Sequence, residues 1–267
     1  MNTLRSWVKR HPAIKGMTLA TLRLMAPLRT PSALLRYAEF LADRQRFVRA
    51  GGRAAWIDSW PCLADRTQKS GIDAHYFHQA VWAARLIAAH PPAAHVDIGS
   101  DTLYVGMLTA IVPVTFVDIR PLDLQIADYT GVHGSILAMP FNDCSVLSLS
   151  CLHVIEHIGL GRYGDPIDPD GSVKAAREIV RIIAPGGRAY VSMPIGRPRV
   201  QFNGQRVFDP VEVLQMFAGL TLNTFAMVDA TGAFFEQADP RTIDLREAQS
   251  GADCGLGMYC FTRAEAG

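Results

Sequence analysis

"AHVDIGSDTLYVGMLTAIVPVTFVDIR" (residues 94–120) decides the fold. It opens on a short apolar run, "AHVDIG" (94–99), that reads as a buried strand. Residues 101–111 suit a helix, and "VTFVDI" (114–119) is a second strand. A strand, a helix and a strand joined by turns this short predict parallel pairing. In such a sheet a ligand binds beyond the carboxyl ends of the strands, where the strand order reverses. Gly99 would let the backbone turn beside that ligand, and Ser100 and Asp101 would cap the helix. Asp118 ends the second strand, 21 residues after Asp97. An acid at that spacing can accept hydrogen bonds from ribose hydroxyls. The competing role is a turn acid ahead of Pro121.

The rhythm continues on the C-terminal side. "SVLSLSC" (145–151) is a strand, and "GSVKAAREIVRIIA" (171–184) is a helix with Val173, Ala176, Ile179, Val180 and Ile183 on one side. "PGG" (185–187) ends it before a strand at 188–194. "TLNTFAMVD" (221–229) and "GLGMYCFTR" (255–263) have no convincing helix between them, which predicts an antiparallel pair closing one edge. The expected architecture is α/β, a Rossmann-like, doubly wound, mostly parallel sheet with an antiparallel C-terminal strand pair and N-terminal helices.

On the N-terminal side a helix is expected over 74–89, stopped by Pro91-Pro92. Residues 56–73 read as a loop holding Trp56 and Trp60. Residues 1–55 read as a helical extension broken at Gly51-Gly52, with Leu34, Tyr37, Leu41 and Val48 near one face. The expected division is an extension of residues 1–55 and a catalytic domain of residues 56–267.

The 267 residues are 49% hydrophobic and 19% charged, an ordinary globular balance. The formal charge of +1 hides an asymmetry. Residues 1–53 carry 11 Lys/Arg against Glu39 and Asp43, while the remainder is net acidic. A basic arm on an acidic body suits either an anionic membrane surface or docking onto that body. Lys15 and Arg23 interrupt the apolar stretch 13–28, so neither a cleaved signal nor a membrane span is expected. Five cysteines without a C-x-x-C pair predict reduced thiols and a cytoplasmic protein, peripheral on the membrane's inner face where the arm binds it. The acidic body argues against nucleic acid as a partner.

"LHVIEHIGLGRYGDP" (152–166) contains two motifs that compete. G-x-G-x-x-G at Gly159, Gly161 and Gly164 follows the wrong strand for a dinucleotide fingerprint and reads as a loop. H-x-x-E-H places His153, Glu156 and His157 on one face of an expected helix. A zinc-protease reading is disfavoured beside a parallel strand. A general base needs one imidazole near a hydroxyl, and His is suited to take that proton near neutral pH. His153 is the first candidate base and His157 the second. The following loops offer Arg162, Tyr163, Asn203 and Arg206 for sugar hydroxyls, phosphates or carboxylates.

"VDIGSD", "FVDIR", "GSILAMPFNDCSVLSLSCLHVIEHI" (134–158) and "REIVRIIAPGGRAYVSMP" (177–194) occur in an order that resembles the class I S-adenosylmethionine-dependent methyltransferase superfamily. The likeness spans about residues 75–263. "HYFHQAVWAARLI" and "EHIGLGRYGDPIDPDG" further resemble a bacterial group known only as a domain of unknown function and associated with surface-polysaccharide gene clusters. The resemblance implies S-adenosyl-L-methionine as cofactor. It puts Asp97, Gly99 and Ser100 near the amino-acid part, Asp118 and Ile119 at the ribose, and Ser135 and Ile136 about the adenine. Cys151 to His153 would face the sulfonium. Ser100-Asp101-Thr102 stands where relatives have glycines, and Ser135 where many have an acid, so the cofactor would be hydrogen-bonded differently.

The segment is also similar to the E-x-x-E-H metal site of some 2′-O-methyltransferases, with His153 replacing the first Glu. That likeness would make His153, Glu156 and His157 ligands of a divalent ion. The expected activity is O-methylation of a sugar or glycolipid acceptor. The alternative is a non-catalytic binding module that keeps the fold.

Overall fold

The computed structural model describes residues 31–68, 70–243 and 254–265. The chain divides into two compact units, residues 1–71 and 72–267. The first 30 residues of the expected helical extension lie outside the described residues. The rest of it forms α1 (Pro31–Arg49), whose last turn carries Arg46 and Arg49 where cations complement the helix dipole. Gly51, at φ +95°, turns the chain after it, as the Gly-Gly pair predicts.

The unit boundary falls between Gly71 and Ile72, not after residue 55, because the tryptophan segment packs on α1. The Arg44 guanidinium lies 3.7 Å from the centre of the Trp56 ring. Arg66 bridges to Asp43 at 2.6 Å and to Glu39 at 3.4 Å.

The second unit is an eight-stranded sheet among the described residues. Its strands are β1 (His95–Ile98), β2 (Val114–Asp118), β3 (Tyr129–His133), β4 (Val146–Leu152), β5 (Ile183–Ile195), β8 (Thr221–Val228), β9 (Phe234–Phe235) and β10 (Gly255–Thr262). A separate hairpin, β6 (Arg199–Gln201) and β7 (Gln205–Val207), stands apart. The sheet order is β3-β2-β1-β4-β5-β10-β8-β9. β1 to β5 pair in parallel, whereas β10 runs antiparallel to both β5 and β8. The expected antiparallel closure is present, with β10 inserted inside β8. This is a Rossmann-like, doubly wound, mostly parallel sheet.

Strand alternation sends successive side chains to opposite faces, and each face has its own core. Val117, Leu149, Cys151 and Val191 pack toward α4 (Gly171–Ile182) and α5 (Pro210–Met216) through Ala176, Ile179 and Val213. Phe116, Leu152 and Tyr190 pack toward α2 (Ala74–Ala89) and α3 (Thr102–Leu108) through Trp82, Ile87 and Leu108. Asp73 caps α2, accepting from the His75 and Tyr76 amides at 3.1 and 3.2 Å. Asp101 caps α3 in the same way. The order reverses between β1 and β4, so the place for a ligand is beyond the ends of β1, β2 and β4.

Candidate functional site

A cavity of about 400 Å³ opens at that place. Gly99 leaves β1 at φ +63°. A Cβ there would sit 3.3 Å from Asp118 Oδ2 and 3.4 Å from Val154, so a side chain would fill the space between β1 and β2. Asp118 lines the cavity, and its Oδ1 accepts from the Arg120 amide at 2.6 Å. Ile119, Ser135 and Ile136 complete this wall. Ser135 Oγ accepts from the Leu137 amide at 3.2 Å, which fixes the turn after β3. These expected cofactor residues therefore come together.

Asp97, Ser100 and Cys151 do not join them. Asp97 is fully buried and accepts from the Ser100 amide at 3.1 Å, from Ser100 Oγ at 2.8 Å and from the Ser150 hydroxyl. Ser150 Oγ in turn lies 2.8 Å from His95 Nε2 and accepts from Tyr104 at 3.3 Å. Ser100 Oγ also accepts from the Leu152 amide at 3.0 Å. The network spends these groups on tying β1 to β4. Burial raises the Asp97 carboxyl to about 6, against the hydrogen bonds from Ser150 and Ser100, and lowers His95 to about 3. Cys151 points into the core against α4 because strand alternation turns it away from the side that Ser150 and Leu152 face, and burial raises its thiol well above the ordinary range.

Across the cavity His153 adopts φ +60°, a conformation rare for a residue with a Cβ. Its amide donates to Ser192 O at 3.0 Å. Ile155–His157 is one 3₁₀ turn and not the expected helix, because the chain leaves β4 through this left-handed residue. The Ser172 hydroxyl anchors the turn on Ile155 O at 2.8 Å. His153, Glu156 and His157 nevertheless converge, with one potential ligand atom from each lying within 4.8 Å of the others.

Glu156 is wholly buried. His153 Nδ1 pairs with Glu156 Oε1, and His157 Nε2 lies 3.7 Å from the same oxygen. His153 Nε2 and Glu156 Oε2 are buried without a hydrogen-bond partner. His157 Nδ1 lies 2.7 Å from Gly204 O, and a carbonyl only accepts, so Nδ1 carries the proton. Burial lowers the pKa of His157, opposed by Glu156. The Tyr76 ring stacks on His153 at 5.1 Å and 10°, and His75 stacks at 5.7 Å. Burial lowers His75 and raises the Tyr76 hydroxyl.

The expected substrate residues divide. Tyr163 lines the cavity, with the Arg120 and Arg162 guanidiniums 4.7 and 5.1 Å from its ring. Arg162 donates to Gly204 O at 3.1 Å and is exposed beside the mouth. Asn203 sits on the turn of the β6–β7 hairpin, at φ +62° and away from the cavity wall, because that turn needs a left-handed residue. Arg206 is buried and clamps the loop after the 3₁₀ turn, donating to Ile158 O at 2.5 Å, Ser172 Oγ at 3.0 Å, and Asp168 O and Pro169 O at 3.2 Å. All of its reach is spent inside the protein.

The G-x-G-x-x-G stretch is the loop its position implied. Gly159, Gly161 and Gly164 all have positive φ, and the loop brings Tyr163 and Gly164 to the cavity. Arg120, Val154 and Tyr76 escaped the sequence reading. Arg120 carried a faint signal as the residue following "VDI"; Tyr76 carried none, since only the fold places α2 over His153.

A family model described as "Caenorhabditis protein of unknown function, DUF268" matches residues 145–248. No curated protein matches the chain. Among solved structures, the chain is similar to the N-methyltransferase NodS from Bradyrhizobium japonicum WM9 in complex with S-adenosyl-L-homocysteine. The identity is 12% over 77% of this chain and 92% of that one, with a TM-score of 0.52. It is also similar to the [4+2]-cyclase SpnF, at 15% identity over 89% of this chain and 98% of that one, with a TM-score of 0.51. These likenesses show the fold. One is a transferase and the other a cyclase, so the activity must be argued from the site.

Proposed function

We propose that the protein is an S-adenosylmethionine-dependent methyltransferase acting on a hydroxyl of a sugar or glycolipid in surface-polysaccharide assembly. One observation carries the reading: a cavity of cofactor-binding size joins Gly99 and Asp118 on one wall to His153 on the other, and the buried Nε2 of His153 has no hydrogen-bond partner. The residues fit the cofactor. The bare Gly99 leaves space beside Asp118, Asp118 would accept from ribose hydroxyls, and Ile119, Ser135 and Ile136 would hold the adenine. When bound, the cofactor supplies a methyl carbon on a positively charged sulfur.

The protein's own part is positioning and proton removal. Glu156 holds the proton of His153 on Nδ1, which leaves the Nε2 lone pair to receive the acceptor's hydroxyl proton. The buried carboxylate then stabilises the imidazolium. Tyr76 fixes the ring plane. Arg162 and Tyr163 at the mouth suit the hydroxyls or acidic groups of a sugar acceptor. The basic residues of 1–55 would bring the enzyme to an anionic membrane surface, on the cytoplasmic side. No helix among the described residues is long and apolar enough to cross a membrane.

A second reading is a binding module without catalysis. It is favoured by Ser100 and Asp101, which turn their side chains to Asp97 and to the α3 cap where glycines would leave the backbone free. Calorimetric titration with S-adenosylhomocysteine separates the two. The expected result is one molecule per chain, with binding at least about tenfold weaker in Asp118→Ala, a difference of about 1.4 kcal/mol. A folded protein that does not bind would leave the binding-module reading; unchanged affinity in the variant would remove Asp118 from the site.

A further inference from the structure

We infer that the β6–β7 hairpin, with the loop it grips, is a docking surface for an anionic lipid bilayer beside the cavity mouth. Two strands of three residues each do not hold a hairpin together alone in water. This one is fastened to the body. Arg206 is buried under it and donates to Ile158 O, Ser172 Oγ, Asp168 O and Pro169 O. Gly204 O accepts from His157 Nδ1 at 2.7 Å and from Arg162 at 3.1 Å. At the stem, the Phe208 amide donates to Pro194 O at 3.0 Å and the Gly196 amide to Phe208 O at 2.9 Å.

What this anchorage holds out to solvent is apolar. Phe202 is 73% exposed and Val200 58%, and Ile167 on the gripped loop is 64% exposed. Apolar side chains scattered singly over a surface need no explanation. These stand on two elements that one buried guanidinium locks together. Residues 195–208 also carry Arg197, Arg199 and Arg206 and no acid, in a chain that is net acidic beyond residue 53. Arg197 is exposed, and Arg199, half-buried, donates to Arg197 O at 3.0 Å. Arg120 and Arg162 add positive charge about Tyr163 at the mouth. Of the acids on the gripped loop, Asp168 pairs with Lys174 at 2.7 Å, Asp165 accepts from the Gly159 and Tyr163 amides, and only Asp170 is exposed. The charge therefore complements a layer of lipid phosphates, with Phe202 and Val200 entering the acyl boundary below it. A tip of this size falls well short of the roughly 800 Å² that each partner buries in a stable protein interface. The meaning for the reaction rests on the methyl-transfer reading. Docking the hairpin, which holds His157 through Gly204, would bring the cavity to the plane where a lipid-linked sugar is presented.

The test is flotation of the reduced full chain with vesicles of phosphatidylglycerol and phosphatidylcholine, and with vesicles of phosphatidylcholine alone. The native chain is expected to float with the mixed vesicles. Phe202→Ser should weaken that binding at least about tenfold, and Arg197→Gln about fivefold, with the basic residues of 1–53 intact in both. Thermal melts matching the native chain's show that the variants are folded. Phe202→Trp reads the contact directly: lipids brominated on their acyl chains should quench its emission beyond any quenching of the four native tryptophans. A native chain that floats with neither vesicle, or no added quenching in Phe202→Trp, overturns the docking surface. Binding unchanged by Phe202→Ser assigns attachment to residues 1–53 and overturns it too. Self-association of the native chain that Phe202→Ser abolishes would make the tip a contact between copies instead. None of these readouts needs the cofactor, so failure here leaves the methyl-transfer reading standing, and a chain that floats but does not bind S-adenosylhomocysteine does the reverse.

Discussion

Asp97 lies one residue before the end of β1 and Asp118 ends β2; the spacing of 21 pointed to Asp118 for the ribose, and the family resemblance added Asp97 at the amino-acid part of the cofactor. Their surroundings separate them. Asp118 faces the cavity, while Asp97 is sealed among Ser100, Ser150 and their partners. The sequence showed that two acids stood at strand ends, but not that Ser148 and Ser150, two positions apart on β4, would draw His95 and Asp97 into a private network. That pairing arises only from the register of β1 against β4. The Asp97 carboxyl is raised to about 6 from 3.8, with burial as the main cause. A raised acid binds its proton more tightly when folded, so its contribution to stability is full below the unfolded pKa and is lost as pH rises through about 6. Chemical denaturation between pH 4 and pH 7 should show the protein losing roughly 2 kcal/mol relative to Asp97→Asn over that interval. Parallel profiles for the two proteins would place the network's proton elsewhere.

Among the elements, those with a strong hydrophobic period were legible. α4 and strands β1, β2 and β4 lie within a few residues of where apolar spacing puts them. β3 was missed because "YTGVH" is half exposed and shows no alternation. The H-x-x-E-H stretch was read as a helix because its spacing suits one, yet spacing of three and four residues also converges on a 3₁₀ turn. The loop that follows offers a contrast between two glycines. At Gly159, φ is +81° and a Cβ would come 2.0 Å from Asp168 O; at Gly164, φ is +87° but nothing lies within 4 Å. Gly164→Ala should therefore cost only the backbone strain, about 1 kcal/mol. Gly159→Ala must also displace the Asp168 backbone, so its melting temperature should fall several degrees further. Equal losses would mean that the loop rebuilds freely and does not hold the cavity wall.

At the scale of the whole molecule, the rhythm of strands and helices was enough for the fold class and for the end of the sheet where the cavity lies. The order of the C-terminal strands was not. Nothing local in "GLGMYCFT" announces that β10 slides between β5 and β8, because a strand buried on both faces looks the same at either position. Its backbone pairs with both neighbours along its length, and Met258, Tyr259 and Leu256 have no exposed surface. A chain ending at residue 253 should accordingly lose cooperative thermal unfolding altogether. A sharp transition in that truncated chain would show that β5 and β8 can pair without it.

The same insertion sets a timetable for biosynthesis. β10 is translated after every other strand of the sheet, so the nascent chain must wait with the edges of β5 and β8 both unzipped. Open edges of this kind invite pairing with other chains. Cellular holding factors should therefore bind this polypeptide late in its synthesis and release it only once Gly255–Thr262 has cleared the ribosome.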